Sequence, residues 1–316
     1  MGEKDIIEKQ LEDYNEVFAD IVNGLLFGGE QVVEESQLDD MQVFSQYKAD
    51  DGKLHEEERD KLKRWHNGLI NIAMIGMENQ SDIFKYMPLR VIGYDGAAYR
   101  AQLLKRRTDR RTEIPFTPVP VVTIVLYYGN KRWDSYKRLK DVVAVPDKLK
   151  PYFSDYKINV FEIAWLTEEQ ITHFTSDFKV VADFFVKKRI DPDYVPDDMT
   201  ELRQGGEVLK LLTVISGDKR YYDVAKSEKG KVKNMCEVAE RLEKRGIEKG
   251  IQQGMQKGMQ KGMQKGMQKG IDEKGIQVFL NCIARGMSRE DAQAIADISD
   301  CLVQKALRSK NTGDNK

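Results

Sequence analysis

The run Val-Pro-Val-Val-Thr-Ile-Val-Leu-Tyr-Tyr between Pro118 and Gly129 restricts the fold more than any other segment. β-Branched side chains lose rotamer freedom in a helix and pack well on a pleated surface. Prolines at one end and a glycine at the other bound the run, which predicts a buried strand. It is also too short to cross a bilayer, which takes about 20 apolar residues as a helix. A helix is expected before it, from Met87 to about Arg107, opened by Pro88 and carrying Leu89, Ile92, Ala97 and Leu103. Ahead of that helix, Asp60 to Trp65 and Leu69 to Glu78 flank His66-Asn67-Gly68, and Asn-Gly between apolar runs signals a hairpin. Strands, helix and strand in this order predict an α/β domain.

Either side of this core the pattern is mostly helical. Ile7, Leu11, Tyr14, Phe18, Ile21 and Leu25 recur at three and four residues, predicting a helix from Ile6 to Phe27 that Gly28-Gly29 stops. A short strand is expected around Met41 to Tyr47, and a solvated loop from Asp51 to Glu58. Beyond Gly129 the reading is a short helix over Asp134 to Val143, a strand over Ile158 to Leu166, and a long helix from Thr167 to Lys188 with Thr167 as its cap. Pro192 and Pro196 mark a linker. In the tail, Ser288 is a good helix cap, and the pattern there is a small helix-turn-helix-like module. Its short second helix without arginine suits an interaction or folding cap better than base reading.

Between them, glycine recurs every fourth residue from Gly246 to Gly270, mostly followed by Ile or Met. A four-residue period overshoots the 3.6-residue turn, so each row drifts round the helix axis. The tract is read either as a self-association stripe or as a repeat-expanded linker. The domain division is then 1–190 for the α/β domain, 191–245 for a helical linker region, 246–275 for the repeat helix and 276–316 for the helical tail.

Composition narrows the chemistry. Lys+Arg at 51 against Asp+Glu at 52 exclude an overall basic coat, although a local basic patch remains open. Cys236, Cys282 and Cys301 have neither disulfide nor zinc spacing, and three histidines make a histidine metal cluster improbable. The N-terminus lacks a signal pattern, so a cytoplasmic protein without membrane attachment is expected. Any metal would be held by oxygen. Asp60 opens one hairpin strand and Glu78 closes the other, with Gln80 two residues on and facing the same way. Such carboxylates suit Mg²⁺, with Mn²⁺ as a substitute, and a bound water beside a phosphodiester.

Several blocks resemble the recombination-promoting nuclease (Rpn) family, transposase-like members of the PD-(D/E)xK nuclease superfamily. These are Asn15-Glu16-Val17-Phe18-Ala19-Asp20, Leu26-Phe27-Gly28-Gly29, Glu58-Arg59-Asp60-Lys61-Leu62-Lys63, Gly76-Met77-Glu78-Asn79-Gln80-Ser81-Asp82-Ile83, and Met87-Pro88-Leu89-Arg90-Val91-Ile92-Gly93-Tyr94-Asp95 with Tyr99. The strand to Gly129 with Trp133, the glycine tract and the tail also look like the family. The resemblance implies a restriction-endonuclease-like PD-(D/E)xK core, a mixed sheet flanked by helices, with a helical C-terminal extension. It further implies a metal-dependent DNA endonuclease of recombination or mobile elements, with Asp60, Glu78 and the Asn79 backbone carbonyl on the metal and Gln80 in place of the superfamily lysine. Arg59 stands where the superfamily motif has proline.

Around this set, Arg90 and Tyr94 share a helix face by four-residue spacing, and an arginine there could hold a phosphate bidentately. The run Lys105-Arg106-Arg107 through Arg111 is the densest basic cluster and a candidate DNA-backbone contact. Asn15 and Asp20 are weaker candidates to complete the site. The competing function is a catalytically weak, nuclease-fold protein that binds DNA or a partner and forms homo-oligomers through residues 246–270. One stereochemical condition decides whether the site can exist. If Asn67-Gly68 forms a two-residue turn, Asp60 faces Ile75, and Glu78 lies on the wrong face. One bulge restores the parity, and Gly76 is the expected place for it.

Overall fold

The computed structural model describes residues 11–41, 44–48, 54–108, 117–196, 198–227 and 231–313; for 44–48, 54–58, 105–108, 215 and 309–313 it describes the backbone alone. Two compact units result, Met1–Leu242 and Glu243–Lys316. In the first, α1 (Asn15–Leu26) is followed by β1 (Leu38–Asp40), β2 (Phe44–Lys48), β3 (Leu54–Glu58), β4 (Lys61–Asn67) and β5 (Ile70–Gln80). Then come α2 (Met87–Thr108), β6 (Val121–Tyr127), α3 (Leu139–Val142), β7 (Asn159–Glu162), α4 (Glu168–Thr172), α5 (Phe178–Ile190), α6 (Gly205–Ser216) and α7 (Lys219–Ser227). The sheet order is β1-β4-β5-β6-β7, antiparallel through β5 and parallel from β5 to β7, so this is a mixed α/β sheet. β2 and β3 pair separately.

Alternation along the strands assigns the two faces. Ala73, Ile75 and Met77 of β5, with Ile124 and Leu126 of β6, join the main core with Phe18 and Ile21 of α1 and Phe184 and Phe185 of α5. On the other face Met74 packs with Leu62, Val121 and Ala98 of α2, and Val125 packs with Met87 and Val91 of the same helix. α2 thus covers one face of the β5–β6 pair. Its position is fixed by Gln102, whose side chain donates to the Val119 carbonyl and accepts from the Val119 N–H, and by Tyr99, whose hydroxyl accepts from the Val121 N–H.

Several expectations need revision. The helix expected from Ile6 begins only at Asn15, after a 3-10 turn at Leu11–Asp13 and an extended Tyr14; its expected start and the loop tip at Asp51-Gly52 lie outside the described residues, whereas Leu54–Glu58 is a strand rather than solvated loop. The strand expected to reach Leu166 stops at Glu162 and passes into a 3-10 turn. The expected long helix begins with the Thr167/Gln170 capping box but breaks between α4 and α5. The cause is Asp20 of α1, whose carboxylate accepts the Thr175 and Ser176 N–H groups and both hydroxyls. Nor is the region after Pro192 a mere linker. Val208, Leu209, Leu212, Tyr221 and Val224 enter the main core, because α6 and α7 present apolar faces at helical spacing.

α8 (Met235–Ala284) carries the whole glycine tract. At each glycine from Gly246 to Gly270 an added Cβ would meet open space. Ile251, Met255, Met259, Met263 and Met267 are 65 to 75% exposed. Ser288 caps α9 (Arg289–Ala296) as expected, and α10 (Asp300–Gly313) follows, with Phe279, Ala292, Val303 and Ala306 forming a small core. No helix among the described residues is long and apolar enough to cross a membrane.

Candidate functional site

The parity condition is met, but not by a bulge at Gly76. Asn67 pairs with Ile70, so the turn residues are Gly68 and Leu69, with Gly68 at φ +58°. Shifting the turn one residue along the chain moves the partner of Asp60 by two. An irregularity between Trp65 and His66 leaves Ile72 as an extra residue on β5 and moves that partner by one more. Lys61 therefore pairs with Met77, and the register continued one step puts Asp60 opposite Glu78 on the α2 face. Gly76 serves another purpose. An added Cβ there would lie 2.5 Å from Nη1 of Arg59, so the missing side chain is the space the guanidinium occupies.

Reciprocal hydrogen bonds fasten the two carboxylates. The Asp60 N–H donates to Oε1 of Glu78 at 3.2 Å, and the Asn79 N–H donates to Oδ2 of Asp60 at 2.8 Å. Glu78 is 2% exposed. Burial, and next the Asp60 charge, push its carboxyl up to about 8; Arg59, the Asp60 N–H and Arg90 pull the other way. A buried carboxylate beside a second one favours either a proton or a cation. N–H and C=O of one strand residue point to the same side, so the Asn79 carbonyl is directed past the end of β4, toward Asp60. Among the described residues no group of three or more His, Cys, Asp or Glu side chains is arranged to hold a metal. A cation here would have the Asp60 and Glu78 carboxylates as its side-chain donors, with the Asn79 carbonyl as the main-chain donor that the resemblance implies. That set fits a hard divalent cation that keeps several waters, as Mg²⁺ does, and would suit a cation needing an all-protein cage poorly.

Behind the pair lies a buried network that few local sequence signals announce. Arg59 Nη2 donates to Oδ1 of Asp95 at 2.5 Å and to the Thr123 hydroxyl at 2.8 Å, and that hydroxyl donates to the same oxygen at 2.5 Å. The Tyr156 hydroxyl donates to the other Asp95 oxygen. Burial and the Asp95 contact raise the Tyr156 hydroxyl, keeping it protonated. The Arg59 guanidinium also lies over the Tyr94 ring at 5.2 Å. The residue before Asp60 is therefore bound to the middle of α2 and to β6, and Asp60 has little freedom to leave Glu78.

The remaining candidates divide. Gln80 is half-buried on the Glu78 face and ends β5, where its carbonyl accepts from the Tyr128 N–H. Arg90 and Tyr94 flank the buried Met87–Val91–Asp95 stripe of α2, Arg90 near enough for its charge to act on Glu78. Lys105, Arg106 and Arg107 lie in the last turns of the same helix, and their side chains, with the run on to Arg111, lie outside the described residues. Asn15 and Asp20 are not brought to the site. Asn15 donates to the Leu38 carbonyl and accepts from Lys63, while Asp20 is consumed by the Thr175–Ser176 turn. Gly76 was the available clue to the network, since glycine inside a strand often marks a close approach.

A mixed sheet with two carboxylates opposed at one strand end, under a helix that bears an arginine, is the class of site described here. Residues 62–213 match the family model described as "Putative transposase, YhgA-like". Searches of curated proteins and of solved structures found no match.

Proposed function

We propose that this protein is a Mg²⁺-dependent DNA endonuclease with a PD-(D/E)xK-type site, acting on DNA in transposon-associated or recombination processes as the family description suggests. The observation that carries the reading is the opposition of Asp60 and Glu78, with Glu78 buried and its ionised form disfavoured until a cation arrives. Asp60, Glu78 and the Asn79 carbonyl would hold that cation. When bound, it supplies an acidified water and counter-charge for the phosphoryl oxygens. Arg90 would grip a neighbouring phosphate, and Gln80 would orient the attacking water through its amide, without taking the proton. The Arg59–Asp95 pair would keep Asp60 in register throughout.

The test is nicking of supercoiled plasmid in Mg²⁺, Mn²⁺ or EDTA. Metal-dependent nicking lost in both Asp60→Ala and Glu78→Ala is expected, with folding retained because each change takes one carboxyl group out of a site that disfavours two charges. Full activity in either variant would refute the assignment. Gln80 favours a second reading, a nuclease-fold protein that binds DNA or a partner with little turnover, since its neutral amide lacks the charge of a lysine. Binding without cleavage under every metal condition would select it.

A further inference from the structure

The segment leaving β5 carries aromatic rings and cations together. Phe84 and Tyr86 lie 6.1 Å apart in an edge-on arrangement, 36% and 48% exposed. Lys85 Nζ sits over the rings of both Tyr86 and Tyr136, at 5.6 and 5.8 Å, and Tyr136 is 37% exposed. Arg90 lies over the Phe84 ring at 4.5 Å. The cluster begins four residues beyond Gln80, and Arg90 belongs to α2, the helix that covers the sheet face carrying Glu78. Three partly exposed rings from two segments cost hydration if they serve packing alone, and Phe84, Tyr86 and Tyr136 are in none of the buried core clusters.

We infer that Phe84, Tyr86 and Tyr136, with Lys85 and Arg90, form a stacking platform for unpaired bases beside the scissile phosphate, so that the preferred substrate is a DNA strand that is single or locally opened. Every base has a π-face, which makes ring stacking tolerant of sequence, while lysine and arginine meet the backbone charge. Bases inside an intact duplex have no face to offer. A duplex-only enzyme would need cations here and gain nothing from rings. The inference rests on the nuclease reading for the scissile phosphate, and the binding test below is independent of cleavage.

The probe is a short DNA single strand carrying 2-aminopurine, compared with its blunt duplex, titrated against the full-length protein in Ca²⁺ by anisotropy and by base fluorescence. The single strand should bind several-fold more tightly than the duplex, with 2-aminopurine quenched by stacking. Phe84→Leu and Tyr86→Leu should each weaken single-strand binding roughly five-fold or more and relieve the quench, with duplex affinity and circular dichroism unchanged. Equal affinity for strand and duplex, or an undiminished quench in the double variant, overturns the platform. Quenching that persists in a protein without plasmid nicking in Mg²⁺ or Mn²⁺ supports the platform and refutes the nuclease reading instead. Nicking without quenching does the reverse.

Discussion

Glu78→Gln should make the metal-free protein more stable at alkaline pH. The folded chain holds the Glu78 proton up to about 8, whereas the ordinary value is 4.5. Between those limits the folded state binds more protons than the unfolded one, so stability falls as pH rises. The slope approaches roughly 1.4 kcal/mol per pH unit for one such group. The penalty is absent below about pH 4.5, grows through the window, and is complete above about pH 8. Glutamine removes the titration and keeps an Oε1 acceptor for the Asp60 N–H, so packing changes little. Urea unfolding in EDTA at about pH 5 and pH 8 should show a wild-type loss of roughly 2 to 4 kcal/mol that the variant lacks. Millimolar Mg²⁺ should recover the loss in wild type by binding the ionised pair, and leave the variant largely unmoved. Parallel pH profiles for the two proteins would mean that Glu78 is not held as a charge-frustrated carboxylate, and the cation argument would fall with it.

Gln80→Lys should keep or increase metal-dependent nicking, whereas Gln80→Ala should lose much of it; equal rates for all three would remove the side chain from the reaction. Asp95→Ala strands Arg59 in the interior and should cost about 3 to 5 kcal/mol in urea unfolding. It should also depress nicking in Mg²⁺ under conditions where the variant is folded, and an unchanged melting profile would sink the network's structural role. Deleting residues 246–270 should shift the mass distribution in light scattering toward smaller species while preserving nicking. An unaltered distribution would reject self-association through the exposed Ile and Met row of α8.

Local signals placed most of the elements and missed what distant residues impose. The β-branched run to Tyr128, Pro88 at the helix start, and the Thr167 and Ser288 caps are local chemistry, and each marks an element that forms. The break between α4 and α5 is different in kind. Thr175 and Ser176 surrender their N–H groups to a carboxylate 155 residues away in sequence, so a window centred on them reads as continuous helix. The hairpin shows a finer limit. Asn67-Gly68 correctly announced a two-residue turn, yet the loop is Gly68-Leu69, since Gly68 supplies the positive φ while Asn67 still pairs with Ile70. Sequence could state that parity required one extra residue, but Ile72 and Gly76 were equally placed to provide it. Asp60, Glu78 and Gln80 were singled out through the family resemblance of their surrounding blocks, and the Arg59–Asp95–Thr123 network was not, because its members come from three separated segments.

That network also gives a physical reason for an arginine where the PD-(D/E)xK motif that the sequence resembles has proline. A proline before Asp60 would set the backbone direction through its fixed φ and supply no cation at that position. Arg59 instead sets position through its side chain, held by Asp95 and Thr123 and seated over Gly76. Its charge opposes the rise that burial and Asp60 impose on Glu78. Position and charge are therefore coupled in one residue. Loss of Asp95 would leave the guanidinium buried without its carboxylate partner and remove one of the holds on the residue before Asp60. Asp95 thus acts on the carboxylate pair from behind, keeping the arginine close enough to temper Glu78.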